Sequence, residues 1–276
     1  MRMLVVFVTL ALLCATTSAG SIQLSGRLEQ GGIVFGTVDA GTQMTVDGLA
    51  VSVSDRGRFI FGLSRNAKPS STLALSYADG GEATHVISVA QRDWLVERVD
   101  GLPQNTVTPN PKAVKLIQAE NGMILAARNR TEKTPFFETG FLQPAQGRIS
   151  GVFGSQRILN GKPLSPHSGL DIAAPTGTLI VATADGIVSL VHEGMILTGK
   201  TIMIDHGFGL DSVYIHMSEI KVEHGQAVRQ GDPIGAIGMT GRTNGPHLHF
   251  GISWYGAKLD PQAVLAALPA GEGLLK

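Results

Sequence analysis

The chain is poor in cysteine, in aromatic residues and in net charge, and each shortage restricts its class. Its 276 residues include one cysteine, Cys14, so no disulfide can form within the chain. Lys and Arg together number 22, as do Asp and Glu. This balance gives no basic excess for a nucleic-acid partner and no acidic tail. Aromatic residues make up 5% of the chain, whereas glycine occurs 35 times, a composition that favours turns and short strands over long packed helices.

The first 19 residues have the features of an export signal. A positive start at Arg2 is followed by an almost unbroken apolar run over 4–15 and by small residues at 17–19. The run is too short to span a bilayer comfortably, which predicts a cleaved secretory signal over 1–19 rather than a retained anchor. Leu13 precedes Cys14 where a lipoprotein signal needs a small residue. We therefore expect a periplasmic or extracellular protein with no stable membrane anchor.

Residues 20–100 show short stretches in which apolar and polar residues alternate. The alternation occurs over 21–28, 43–46, 49–54, 58–61 and 72–77, with Asp- and Gly-containing turn signals between these stretches. Turns at this spacing predict a small antiparallel β domain, an immunoglobulin-like sandwich. His85 is alone in this region and is interpreted as an ordinary strand residue.

Residues 101–146 are predicted to form a linker that contains one helix. Pro111 suits the first turn of a helix that ends near Arg130. The predicted apolar side of this helix consists of Val114, Ile117, Met123 and Ile124. Phenylalanines at 136, 137 and 141 are expected to anchor the linker against the next domain, with a substrate-contacting aromatic patch as the alternative.

From 147 to 268 glycine becomes frequent and β-branched runs return, for example over 179–181 and 201–204. These features predict a second, mostly antiparallel β domain with long loops, of which 155–166 is expected to shape a substrate groove. Helical periodicity is absent until 261–268, and 269–276 is a tail. The chain as a whole is predicted to be mainly β.

Two histidines of this region, His247 and His249, are two positions apart in a segment typical of a strand. Their side chains then point to the same face, where one can bind a metal while the other stays free for proton transfer. The spacing does not decide which one binds. His167 and Asp171 supply a further imidazole and a carboxylate. Three protein ligands plus an open position is the arrangement of a catalytic zinc, which indicates a zinc hydrolase.

Six motifs in this region together resemble a known family. In chain order they are Gly-Val-Phe-Gly at 151–154, His-Ser-Gly-Leu-Asp at 167–171, Ala-Pro-Thr-Gly at 174–177, Asp-His-Gly at 205–207, Tyr-Ile-His at 214–216 and Gly-Pro-His-Leu-His-Phe at 245–250. Their order and spacing resemble the lysostaphin/LytM-type zinc metallopeptidases, which cut peptide bonds in bacterial cell-wall peptidoglycan. The resemblance covers about 147–265 and leaves out the N-terminal β domain.

The resemblance implies one zinc ion bound by His167, Asp171 and His249, with His216 and His247 as the catalytic histidines. These two would position the water, stabilise the developing oxyanion and move the proton. Because histidine titrates near neutral pH, we expect activity to fall below about pH 6 as these rings become protonated.

Two further residues are candidates for substrate binding. Tyr214 shares a predicted strand face with His216, and it either donates to the reaction intermediate or packs in the core. His206 matches a common histidine of the family, and a structural hydrogen-bonding role is the alternative to substrate contact. Gly251 stands where many relatives have a glutamate, a departure that affects a contact beside the metal rather than the metal itself.

The predicted function is a zinc metalloendopeptidase acting on peptidoglycan cross-links. A D-alanyl–diaminopimelate cross-link is the expected target, with a glycine bridge as the alternative. A catalytically silent regulator of other wall hydrolases on the same fold is a second hypothesis, against which the complete ligand set argues. A secreted protease of glycine-rich proteins is the third.

Overall fold

The structure is a computed structural model that describes residues 21–99, 111–129, 131–159, 161–163 and 165–270. The predicted signal 1–19, the linker residues 101–110 and most of the predicted tail lie outside the described residues. The described part of the chain is mainly β, as predicted, with two α-helices, α1 (Pro111–Arg128) and α2 (Pro261–Ala267). Within this part of the chain, no helix combines the length and the apolar character needed to cross a membrane.

The N-terminal region folds into two antiparallel sheets. Their strands are β1 (Gln23–Gly26), β2 (Ile33–Thr37), β3 (Gln43–Val46), β4 (Leu49–Val51), β5 (Arg58–Gly62), β6 (Ser70–Ser76) and β7 (Glu82–Ser88). One sheet has the order β1-β2-β5 and the other β4-β3-β6-β7. Every second residue of β6 is buried, because one face of this strand meets the core and the other meets solvent. The arrangement agrees with the predicted small antiparallel domain.

Two of these strands lie outside the alternating stretches of the sequence. β2 is buried at Ile33, Val34 and Phe35 in succession, so it lacks the alternation of a half-exposed strand. β7 alternates in exposure but carries polar residues on both faces, His85 among them. The placement of His85 within a strand is as predicted.

α1 confirms the predicted helix, but its contact side differs from the predicted one. Ala127 is buried, and with Ile124 it packs against Leu190 and Met203. Val114 and Met123, in contrast, are 38% and 44% exposed. They are nine positions apart, and at about 100° per residue they lie on opposite sides of the helix, so they cannot both face the sheet.

The C-terminal region is built on a ten-stranded sheet. The remaining strands are β8 (Val96–Val99), β9 (Arg148–Gly151), β10 (Gln156–Leu159), β11 (Lys162–Pro163), β12 (Leu170–Ala173), β13 (Leu179–Val181), β14 (Gly186–Met195), β15 (Gly199–Asp205), β16 (Leu210–Ile220), β17 (Ala227–Val228), β18 (Pro233–Ile237), β19 (His247–Trp254) and β20 (Ala257–Leu259). The main path of the sheet runs β17-β14-β15-β16-β19-β12-β9. Its central strands β15, β16 and β19 are buried along most of their length.

The two regions are held together by direct contacts. β8 pairs in parallel with β10, which together with β11 occupies the predicted loop 155–166. Buried residues of both regions belong to one hydrophobic core, and a Cβ added at Gly62 of β5 would lie 2.7 Å from Leu259 Cδ2. Arg92 forms an ion pair of 2.8 Å with Asp260, whose side chain also caps α2.

The predicted anchoring by phenylalanines is confirmed for Phe137 and Phe141, which are 0% and 2% exposed. The Phe137 ring centroid lies 5.6 Å from that of Phe208. The Phe141 ring lies 6.1 Å from the imidazole of His206. Both rings therefore fix the segment before β9 to the C-terminal region.

Candidate metal centre and active site

Two paired strands bring the predicted metal ligands together. β12 and β19 run antiparallel, with Asp171 opposite His249 and Ala173 opposite His247. Directly opposite residues lie on the same face of a sheet, and so do residues two apart on one strand. Asp171, His247 and His249 therefore share one face. His167 comes just before β12, and its backbone N–H donates to the carbonyl of Ser155 at 2.8 Å.

Three side-chain atoms converge on this face. His167 Nε2 lies 3.0 Å from Asp171 Oδ1 and 3.0 Å from His249 Nδ1. His249 Nδ1 lies 2.8 Å from Asp171 Oδ1. One ligand atom from each of the three residues lies within 4.8 Å of the others, so the structure brings together the three residues expected as metal ligands.

The donor set fits a cation. His167 Nδ1 lies 2.9 Å from the carbonyl oxygen of Val152 and must donate to it, so the neutral ring presents a lone pair at Nε2. That lone pair faces the nitrogen of His249 and the carboxylate of Asp171. Three electron-rich atoms at these distances repel one another unless a proton or a metal ion lies between them. Two imidazole nitrogens and one carboxylate oxygen suit zinc and leave its fourth position open.

Glycines form the walls behind the ligands. A Cβ at Gly169 would lie 2.7 Å from His249 Nε2, and one at Gly151 would lie 2.5 Å from Asp171 Oδ2. Either contact is closer than side-chain atoms tolerate, so the ligands pack against bare backbone here. A Cβ at Gly251 would lie 2.8 Å from Val213 Cγ1 and 4.0 Å from His249 Nε2, so a longer side chain at this position would come close to this nitrogen.

His216 and His247 lie beside the three ligands. Their ring centroids are 4.8 Å apart, and the His216 ring lies 6.5 Å from that of His249. His216 Nδ1 is 2.8 Å from the carbonyl oxygen of Thr240, and His247 Nδ1 is 2.9 Å from that of Gly245. Each Nδ1 must donate, which leaves each Nε2 as the acceptor of the neutral ring. His247 Nε2 lies 3.8 Å from Asp171 Oδ1.

His216 has an unusual backbone conformation. Its φ is 64°, in the left-handed region that costs a residue with a Cβ free energy. The residue lies at a break in the strand, because β16 pairs with β19 up to Ile215 and with β18 from Met217 onwards. The bend at this break places the ring of His216 next to His247.

Burial and hydrogen bonds shift the pKa values at the site. Burial raises the pKa of Asp171, but hydrogen bonds from His167 and His249, together with the charge of these rings, outweigh burial and hold this pKa well below its usual range. Burial lowers the pKa of His216 to about 4 and also lowers that of His249. Asp171 is therefore ionised at neutral pH, and His216 stays neutral well below the pH 6 expected from the sequence.

The structure corrects the expectation that Tyr214 and His206 contact substrate. Both side chains are 0% exposed. The Tyr214 hydroxyl accepts from Thr183 N at 3.0 Å and lies 3.1 Å from Ser212 Oγ. His206 Nδ1 lies 2.6 Å from the Asp185 carbonyl, and its Nε2 lies 2.8 Å from Ser212 Oγ. These groups form a buried polar network, so the structural alternative holds for both residues.

The sequence pattern of peptidase family M23 matches residues 165–261, which include the three ligand residues and both adjacent histidines. Over residues 165–261 the C-terminal region therefore matches this family, and it is called the M23 domain. A crystal structure of a Pseudomonas aeruginosa protein assigned to this family aligns with 87% of the chain and 96% of that protein, with a TM-score of 0.69 and 29% identity. The aligned part of the chain therefore includes the N-terminal sheets as well as the M23 domain.

The curated relatives of the chain include proteins with functional names. The DD-carboxypeptidase/endopeptidase Mpg of Neisseria meningitidis is 33% identical over 55% of the chain and 33% of its own length. The peptidoglycan DD-endopeptidase ShyA of Vibrio cholerae is 35% identical over 47% of the chain and 30% of its own length. The chain thus spans about a third of the length of the curated relatives that it matches.

A cleft of about 520 Å³ opens beside the candidate metal ligands. Its lining includes His167 and Asp171, and also Ser155, Ser165 and Pro166 of the segment expected to shape a groove. Leu95, just before β8, and Arg242 line it as well. Sequence reasoning missed these last two, because neither residue belongs to a motif and only the fold brings the segment before β8 to the M23 domain.

Proposed function

We propose that the protein is a zinc-dependent metalloendopeptidase that hydrolyses peptide cross-links of bacterial cell-wall peptidoglycan. The observation that carries the proposal is the convergence of ligand atoms from His167, Asp171 and His249 within 4.8 Å, with the rings of His216 and His247 alongside. The names of Mpg and ShyA support peptidoglycan as the substrate. Since that substrate lies outside the cytoplasm, the proposal includes a periplasmic or extracellular location.

His167, Asp171 and His249 would hold one zinc ion. Bound zinc lowers the pKa of a coordinated water to roughly 7 and polarises the scissile carbonyl. The protein's contribution is to orient the donors: the Val152 carbonyl fixes the His167 tautomer, and the low pKa of Asp171 keeps its carboxylate charged. Such outer partners set ring orientation and ligand basicity.

His216 and His247 are proposed to handle the proton. The carbonyls of Thr240 and Gly245 hold the two Nδ1 atoms as donors, so each neutral Nε2 is an acceptor. A neutral Nε2 accepts the proton of the attacking water. Once protonated, it donates either a hydrogen bond to the developing oxyanion or the proton itself to the leaving nitrogen. Both rings are assigned to these steps without a fixed division of labour.

The test is mass spectrometry of the muropeptides released when the purified protein is incubated with intact sacculi. Parallel samples contain a chelator, or a chelator followed by zinc. We expect cross-linked dimers to disappear and monomers to rise, an effect that the chelator blocks and zinc restores. The masses of the new termini identify which peptide bond is cut.

Two results would contradict the proposal. Unchanged dimers from a protein that holds one zinc per chain would point to the silent regulator, which should then stimulate a partner wall hydrolase added to the same sacculi. Cleavage of glycine-rich proteins without any change in sacculi would point to a secreted protease.

A further inference from the structure

Arg242 is an exposed cation on the wall of the cleft beside the metal centre. Among the described residues its guanidinium has neither an ion pair nor a side-chain hydrogen bond. A guanidinium without such a partner, beside a site for peptides, is available to bind a charged group of the substrate.

The position of Arg242 is fixed by its neighbours. Thr240 accepts from His216 Nδ1 through its carbonyl at 2.8 Å. Thr243 Oγ1 lies 3.1 Å from His247 Nδ1. The backbone N–H of Arg242 itself donates to the Leu197 carbonyl at 2.9 Å. The segment that carries the guanidinium is therefore tied to both histidines that flank the metal ligands, so Arg242 lies beside the reacting groups.

The described lining of the cleft leaves the charge of Arg242 uncompensated. Apart from Arg242, the described lining consists of metal ligands, apolar side chains, serines and a glycine. Asp171 is occupied by the two histidines, so it does not neutralise Arg242. A guanidinium binds a carboxylate through two parallel hydrogen bonds, which gives both strength and orientation.

We propose that Arg242 binds a free carboxylate of the substrate, on the residue that supplies the scissile nitrogen. The proposal rests on the proposed function. We assign Arg242 to the nitrogen side of the bond because its segment is tied to the two histidines that are proposed to protonate the leaving nitrogen. In a cross-link made through an amine beside a carboxyl group, that carboxylate is one carbon from the scissile nitrogen. A chain-terminal residue has the same group, so the site would take cross-links and terminal residues alike.

The test compares two synthetic peptides that differ at one group. In one, the residue after the scissile bond has a free α-carboxylate; in the other, this group is a carboxamide. The wild-type protein, Arg242→Gln, Arg242→Lys and the control Arg229→Gln are assayed on both, and zinc content is measured for each. Arg229 is exposed and lies outside the cleft lining.

We expect the wild type and Arg229→Gln to prefer the carboxylate peptide. Arg242→Gln should lower kcat/KM for that peptide by roughly 10- to 100-fold, the size of a charge-assisted hydrogen bond, and leave the carboxamide rate unchanged. Arg242→Lys should restore part of the preference. Zinc content should not change in any variant.

Three outcomes would overturn the inference. Equal wild-type cleavage of both peptides would reject carboxylate recognition while leaving the proposed function intact. A preference that survives in Arg242→Gln would assign it to another group. If the wild type cleaves neither peptide nor sacculi, the proposed function fails and the inference fails with it.

Discussion

The N-terminal sheets and the M23 domain are both antiparallel, but they bury their strands differently. In β6 and β7 burial alternates, so polar side chains can turn to solvent. In β19 every residue after His247 is buried. A polar side chain there must find a partner within the protein, because burying it unpaired costs free energy. His249 of β19 accordingly has partners within the protein, since its Nδ1 lies 2.8 Å from Asp171 Oδ1 and 3.0 Å from His167 Nε2.

The largest expected effect comes from removing a ligand. His167→Ala, Asp171→Ala and His249→Ala should each lose zinc and all measurable peptidase activity, because two remaining donors bind zinc weakly. His85→Ala is the matched control in the other region and should keep both properties. Metal analysis and muropeptide release check the result. Full zinc content in all three variants would refute the ligand assignment.

The next effect concerns the glycine walls. Gly169→Ala places a methyl group against the Phe250 carbonyl oxygen and 2.7 Å from His249 Nε2. It should displace both β19 and the His249 ring and so weaken zinc binding by roughly 10- to 100-fold, as for loss of a group that orients a ligand. Competition with a chromogenic chelator measures the affinity. Gly194→Ala is the control, because no atom lies within 4 Å of its added Cβ. Equal affinities of the two variants would show that the wall does not orient His249.

The comparison of the two regions also predicts how the chain unfolds. Since the regions share one core, calorimetry should give a single transition. Gly62→Ala puts a methyl group 2.7 Å from Leu259 Cδ2 and 2.9 Å from Trp254 Cβ, and it should destabilise the protein by about 1–3 kcal/mol. Two separate transitions, with only the first affected by the substitution, would show that the regions fold independently.

The smallest effect is a pH dependence of stability that originates at His206. Burial lowers its pKa from 6.5 to about 4, so the unfolded chain binds a proton that the folded protein does not. The stability from the neutral ring is complete above about pH 6.5 and is lost as the pH falls towards 4. Melting temperatures across this window should fall more for the wild type than for His206→Gln. Parallel curves would show that His206 does not carry this proton linkage.

The sequence predicted the site better than its surroundings. The structure brings His167, Asp171, His247 and His249 together as expected, because a two-residue spacing on a strand and a short motif indicate which side chains lie close to one another. His216 was found through the resemblance to the family. For Tyr214 the sequence left substrate contact and core packing both open, because strand parity gives the face of a side chain but not whether that face meets the cleft or the core.

The elements that escaped prediction depend on contacts distant in sequence. β8 and β10 lie on either side of α1 in the sequence and pair with each other. No local sequence pattern predicts that these two strands pair. The same pairing brings Leu95 to the cleft. The sequence also did not show that Gly151 packs against Asp171, because this contact depends on the fold. In the structure an added Cβ at Gly151 would lie 2.5 Å from Asp171 Oδ2.

His216 has a left-handed backbone, with φ at 64°, so stability and catalysis make opposite demands on the residue at this position. A non-glycine residue in this region costs about 1–3 kcal/mol, and glycine adopts it freely. His216→Gly should therefore melt at a higher temperature than the wild type while losing the peptidase reaction. Selection for thermal resistance alone would drive this position away from histidine, so an engineered stable variant of this protein has to be screened for turnover as well as for melting.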